Sequence, residues 1–292
     1  MKKNIQYFSP FIAMLFLASC GGSEKNPSEN TKDSAEVVTT TDSIRDIVLY
    51  NIPSPIETFT ILKMYGPGFD KSLNSPAANI SKYSSDFSKS INLGVYSTDL
   101  SFCFLYKQNQ EFNNYLKNVN ELTTSLGIDG SYGQEITKRL QANSANMDSL
   151  MVIASEASVN ADLYLKENQR VNTTALIAAG SWLEAMHIIS SIAMKKQNEA
   201  ITGLVADQKA AIRNLSKMLE QFESDAEIAA LTKDIKDIGS VYEGLQPIQG
   251  DALASEDKLV KSIGNNTSYD LTKEQLQSIY DKVEALRNKL TN

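Results

Sequence analysis

The chain is expected to fold as an all-α protein, an irregular bundle of about eight helices with two buried central helices and a coiled-coil-like C-terminal part. Three observations carry this expectation. Apolar residues recur at alternating spacings of three and four through most of the chain, and no stretch alternates apolar with polar as a half-buried strand would. Capping residues stand at the starts of several of these runs. Two long segments, one near 79–109 through its centre at Leu93 to Tyr106 and one at 173–194, are apolar on nearly every face, which marks helices enclosed by others. No internal repeat of fixed period is present.

Residues 1–19 read as a secretory signal. Lys2 and Lys3 precede an apolar stretch from about Tyr7 to Leu17, and Leu17-Ala18-Ser19-Cys20-Gly21 closes it. A membrane-crossing helix needs about 20 apolar residues, roughly twice this length, and Pro10 stands near the start. The closing residues resemble the bacterial lipobox. That resemblance implies cleavage before Cys20 and acylation of Cys20 with three chains, which makes the lipid bilayer a partner. Each buried CH₂ contributes about 0.8 kcal/mol, so two or three chains hold essentially for good. Gly21 stands where an inner-membrane retention signal would place Asp, so the outer membrane is the expected location, with the periplasmic or surface face left open.

Residues 20–44 form the lipidated tether in this reading. From Gly21 to Ile44 the chain is polar and free of aromatic residues, too poor in apolar surface to offset the entropy of ordering. About 24 such residues span roughly 25–30 Å. Asp33-Ser34-Ala35 and Asp42-Ser43-Ile44 resemble the Asp-Ser/Thr-apolar acceptor of O-glycosylated lipoproteins in Bacteroidetes-type envelopes, which nominates Ser34 and Ser43. An ordinary polar linker is the alternative.

The body, 45–292, is expected to be a single helical domain, with a subdivision near 195 left open. Ser54-Pro55-Ile56-Glu57 is a capping box with Pro at the first helical position, and it starts a helix that Gly66-Pro67-Gly68 stops. The apolar stretch from about Asn79 to Asn109 follows as one long helix, with an interruption near Gly94 left open. Phe112, Leu116, Val119, Leu122 and Leu126 keep helical spacing up to Gly127, a C-cap glycine. Two helices follow near 132–143 and 145–168, then the second apolar helix from Thr173 to Met194. The last third shows three seams: Ile201 to Phe222, Ile228 to Leu245, and Leu276 to Leu290, the last opened by a Thr272/Gln275 capping box. The connection from about Gln246 to Asp270 is long for a bundle.

Composition excludes several function classes. Lys and Arg number 28 against 35 Asp and Glu, a net charge of −7, and loss of Lys2 and Lys3 with the signal takes it to −9. No basic stripe is present for nucleic acid. Of two cysteines, Cys20 is committed to lipid, so Cys103 is left without a disulfide partner. Its setting in Leu100-Ser101-Phe102-Cys103-Phe104-Leu105 predicts a buried thiol that behaves as a small hydrophobe. One histidine leaves no His-rich zinc site and no HExxH protease. A Gly-rich phosphate loop and a G-x-S-x-G elbow are missing. Neither a metal nor a cofactor is expected, and no catalytic residue is nominated. Paired-carboxylate chemistry stays open, since it needs only two acids at a set separation.

One constellation stands out. Glu184 and His187, three residues apart, project from one face of the second apolar helix. Glu-x-x-His is half of the di-iron bundle spacing, and the second half is absent. Imelysin-type iron lipoproteins place the His before the Glu, which this chain does not. Asp99 is an acid within the first apolar helix, with Tyr96 one turn earlier and Tyr106 two turns later. Should the two central helices pack together, Tyr96, Asp99, Glu184 and His187 share an interior polar cluster, either a satisfied core network or a ligand or cation pocket.

Tyr50-Asn51-Ile52-Pro53-Ser54-Pro55, Asn92-Leu93-Gly94-Val95-Tyr96 with Asp99-Leu100, and Gly180-Ser181-Trp182-Leu183-Glu184 resemble a family of Bacteroidetes-type all-helical envelope lipoproteins of unknown activity. The resemblance spans Tyr50 to Met194 and implies the fold class and an envelope location. It implies no activity. The expected role is that of a membrane-anchored interaction or structural lipoprotein with an envelope protein partner, not an enzyme. The alternatives are a small-ligand or cation-binding protein using the interior cluster and a carboxylate-based envelope hydrolase.

Overall fold

The computed structural model describes residues 52–128, 133–143, 146–247 and 269–292. The signal, Cys20, the tether with Ser34 and Ser43, and most of the connection 246–270 lie outside the described residues. The chain divides into two units, Met1–Thr39 and Thr40–Asn292, and every described residue belongs to the second.

The described residues form an all-α bundle of ten helices: α1 Pro55–Met64, α2 Asp86–Leu105, α3 Asn109–Ser125, α4 Gly133–Ala142, α5 Met147–Glu167, α6 Val171–Lys196, α7 Glu199–Ala206, α8 Lys209–Glu220, α9 Ala226–Glu243 and α10 Lys273–Thr291. Local chemistry sets many of their ends. At α1, Ser54 Oγ accepts from the Glu57 amide while Glu57 Oε2 accepts from the Ser54 amide, and Thr272 and Gln275 repeat this exchange at α10. Gly66 and Gly127 adopt φ of 80° and 63°, the left-handed conformation that ends α1 and α3.

α6 is the hub, packed against α1, α2, α5, α7, α8 and α10. It is the one helix among the described residues long and apolar enough to cross a membrane, and 83% of that window is buried within the protein. Its neighbours are therefore other helices. The closest is α2. A Cβ on Gly94 would lie 2.1 Å from the Ile177 carbonyl oxygen, and one on Gly180 only 1.9 Å from that of Ile91. The two helices thus cross backbone against backbone, as only residues without side chains allow. Thr98 donates to the Ser181 carbonyl and Ser181 to the Gly94 carbonyl, each at 3.2 Å, and these bonds fix the crossing.

Two sequence expectations need correction here. The helix expected over 79–109 begins only at Asp86, where Ser85 caps it by accepting from the Ser88 amide. Residues 71–73 and 77–82 are short 3₁₀ turns, and Gly94 does not interrupt the helix. The seam from Ile201 to Phe222 is also two helices, broken at Asp207-Gln208. There the Val205 carbonyl accepts from the Gln208 amide and from the Tyr242 hydroxyl, at 3.2 and 3.0 Å, so the α-helical ladder stops. Splitting this seam turns the nine helical segments read along the chain, against an expectation of about eight, into ten α-helices among the described residues.

The segment 66–85, between α1 and α2, contains no α-helix, yet part of it is interior. Leu73, Asn74 and Ser75 are buried. Irregular backbone inside a protein must find partners for its N–H and C=O groups. Those partners create the polar cluster.

Candidate functional site

The strap, residues 73–77, buried from Leu73 to Ser75, is held by side chains from four helices. Tyr115 of α3 donates to the Ser75 carbonyl at 2.6 Å, and Asn118 donates to that of Ala77 at 2.8 Å. Tyr96 of α2 donates to the Pro76 carbonyl at 3.1 Å. The Leu73 carbonyl accepts from His187 Nε2 of α6 at 3.0 Å and from Arg287 Nη2 of α10 at 3.4 Å. In the reverse direction, the Ser75 amide and Asn74 Nδ2 donate to the two oxygens of Asp99, both at 3.0 Å.

Asp99 and Glu184 meet where α2 and α6 cross, and both are fully buried. Arg287 Nε and Nη2 grip the two oxygens of Glu184, each at 2.7 Å, a fork-to-fork ion pair. Burial opposes the charge of Arg287, but Glu184 outweighs it and raises the guanidinium value further. Asp99 has no cation to itself. Burial first, and then the Glu184 charge and the hydrogen bond to Glu184, push its carboxyl well above the usual range and favour its neutral form. His187 lies one turn along α6, its Nδ1 in direct contact with Glu284 Oε1 of α10.

Of the four residues expected to share the cluster, Asp99 and Glu184 are in contact, and His187 joins them through Leu73 and Arg287. Tyr96 stands apart. Its ring packs between Tyr83 and Tyr115, with centroids 6.0 and 5.8 Å away, and it braces the strap without touching the carboxyls. Sequence reasoning missed Arg287 and Glu284, which sit beside the apolar seam of α10, and the strap itself. The one available signal was an arginine a turn after Val283, at the margin of an apolar stripe. Cys103, free and fully buried, has its thiol pushed up to about 12 by burial, with Asn74 Nδ2 3.5 Å from the sulfur.

The chemistry open to this arrangement is that of a closed network. Two grooves among the described residues, of about 580 and 160 Å³, are lined by residues such as Asn172, Phe222 and Asp225 and by Pro55, Trp182 and Gln208. Asp99, Glu184 and His187 line neither. Among the described residues, no group of three or more His, Cys, Asp and Glu side chains is placed to hold a metal ion. Two buried oxygens beside Asp99, Asn74 Oδ1 and Ser75 Oγ, have no hydrogen-bond partner. In comparisons with family models, curated proteins and solved structures, nothing matches this chain.

Proposed function

We propose that this protein is an outer-membrane lipoprotein, anchored through acylated Cys20, whose helical body works by its outer surface in an interaction or structural role toward an envelope protein. The observation that carries the reading is the occupancy of the interior cluster. Asp99 accepts from Asn74 and Ser75, Glu184 is gripped by Arg287, His187 lies between Leu73 and Glu284, and Tyr96 donates to Pro76. A ligand there would have to break bonds that also hold α10 and the strap in place. The anchor is supported by Leu17-Ala18-Ser19-Cys20-Gly21.

The test is crosslinking in intact cells with the native N-terminus, followed by capture and mass spectrometry, run beside a Cys20→Ser chain. A discrete protein adduct that weakens when Cys20 is lost is the expected result. Absence of any adduct, with an acylated Cys20, would remove the partner from the proposal.

A second reading, small-ligand or cation binding, draws on the unpartnered Asn74 Oδ1 and Ser75 Oγ. A melting screen against divalent metals, haem and envelope fragments distinguishes it. A shift that disappears in both Asp99→Asn and His187→Ala would favour this reading over the first. No specific observation favours a hydrolase.

A further inference from the structure

Donors and acceptors around His187 fix how many protons this part of the molecule holds. Nε2 lies 3.0 Å from the Leu73 carbonyl oxygen, which can only accept, so Nε2 carries a hydrogen. A neutral imidazole then has a bare lone pair at Nδ1. That atom touches Glu284 Oε1, itself a lone-pair bearer when the carboxylate is ionised. Two lone pairs in contact repel, and the contact requires one more proton than neutral His187 and ionised Glu284 provide. We infer that His187 and Glu284 share a bound proton that latches the C-terminal helix α10 and the buried strap to α6, and that removing this proton loosens both together.

The surrounding charges support the count. Glu184 on α6 is cancelled by Arg287 on α10, burial and Glu184 push Asp99 on α2 toward its neutral form, and the extra proton of the latch would cancel Glu284. Removing the shared proton would leave one uncompensated negative charge beside a His187 side chain only 8% exposed. Burial raises the Glu284 carboxyl, but the hydrogen bond and charge of His187, with Arg287, outweigh it and hold Glu284 below its ordinary value. Tyr280, one turn before Glu284, is raised by burial and stays protonated. The charged residues near the strap face elsewhere, Asp70 to Lys195 and Lys71 to Glu111, and Tyr242 of α9 donates to the Val205 carbonyl.

Beside the latch, α10 is also held by the Arg287–Glu184 pair, by its apolar seam and by polar capping of its last carbonyls, so what the latch adds is local to Glu284. Asn92 donates to the Leu290 carbonyl at 3.0 Å, and Asn79 and Tyr83 donate to that of Thr291 at 2.8 and 3.0 Å. Deprotonation therefore opens α10 locally and leaves the bundle intact. The stabilisation is present while the proton is bound and is lost as the pH rises.

A single histidine in the chain makes the test direct. The full mature chain, labelled with ¹⁵N in its histidine ring and held in detergent micelles, should show both ring N–H signals at neutral pH, with the Nδ1 proton bonded to a carboxylate. Raising the pH should remove that proton and, in the same step, speed hydrogen exchange across 284–291 by about tenfold beyond the intrinsic rate. Glu284→Gln supplies an N–H donor to a neutral imidazole, so exchange there should lose its pH step while α10 stays docked. One ring N–H at neutral pH in the unmodified chain overturns the proposal. So does an exchange step that persists unchanged in Glu284→Gln.

Discussion

Asp99 and Glu184 are two buried acids of opposite character, and their neighbours decide which is which. Glu184 carries its charge because Arg287 supplies a matching fork, whereas Asp99 is offered only neutral donors and the Glu184 charge. Asp99→Asn keeps an acceptor for Ser75 and a donor for Glu184, and Asn74 can turn its unpartnered Oδ1 toward the new amide, so its cost should stay within about 1 kcal/mol. Glu184→Gln leaves the Arg287 guanidinium buried without a counter-charge and should cost about 3–5 kcal/mol. Urea unfolding of both variants decides the matter, and equal effects would contradict the assignment. A pH series adds a sign. Asp99 lies above its ordinary value in the folded chain, so folding takes up a proton. Its contribution is complete below a pH of about 4 and is lost as the pH rises through the folded value. Asp70 runs the opposite way. Hydrogen bonds from Ser72, then Lys195, lower it to about 2, so its smaller, exposed contribution is lost as the pH falls toward that value. The unmodified chain should therefore lose stability from about pH 4 upward more steeply than Asp99→Asn does. Parallel curves would mean that Asp99 is ionised. Cys103 provides an independent probe of the same interior: with its thiol buried and raised to about 12, maleimide should label it only on unfolding.

At the scale of helices, the crossing of α2 and α6 is the tightest joint in the bundle, and glycine makes it possible. Adding one methyl at Gly94 or Gly180 places a carbon about 2 Å from a carbonyl oxygen of the facing helix, so the backbones must part. Overpacking of a rigid core costs about 1–3 kcal/mol, and more when backbone must move, so Gly94→Ala and Gly180→Ala should sit at or above the top of that range. Gly203, within α7, has no neighbouring atom where a Cβ would fall. Gly203→Ala should stabilise by about 0.5–1 kcal/mol through helix propensity alone. Thermal melts of the three variants would separate close packing from general glycine effects. The elements also show what is legible in a sequence. Capping boxes at Ser54 and Thr272 and the C-cap at Gly127 are local, three- or four-residue events, and the sequence marks them. Close approach at Gly94 and Gly180 is not local: each glycine looks like a weak point in its own helix, and its role appears only with the partner backbone in view. The strap fails for the same reason. Leu73 to Ala77 lie in the unassigned stretch between Gly68 and the helix expected from about Asn79, and nothing in those residues announces that tyrosines, an asparagine, a histidine and an arginine on four other helices would solvate their carbonyls. Asp99, Glu184 and His187 were legible as polar intrusions on apolar helices, whereas Arg287 and Glu284 were hidden among the ordinary charges of an amphipathic one.

For the whole molecule, the proposed anchor and the body are separate physical problems. Among the described residues the body shares one core, which runs from Phe59 through Leu286, and its first described helix is capped by Ser54 and Glu57. Among the described residues, α1 packs on α2, α6 and α7. Folding and membrane attachment should therefore be separable by a cut. A chain beginning at Arg45 is expected to match the mature protein in helicity and to melt within a few degrees of it, because an apolar-poor segment has little to contribute to a packed interior. In cells, Cys20→Ser should leave the body folded but move it from the membrane fraction to the soluble one, because two or three acyl chains are needed to hold a protein of net charge −9 at a lipid surface it does not otherwise favour. Circular dichroism answers the first part, and fractionation with mass spectrometry of the N-terminal peptide answers the second. A body that melts many degrees lower without residues 20–44 would mean that this segment packs against the helices. A Cys20→Ser chain that remains with the membrane would mean that the helical surface, and not the acyl group, does the anchoring.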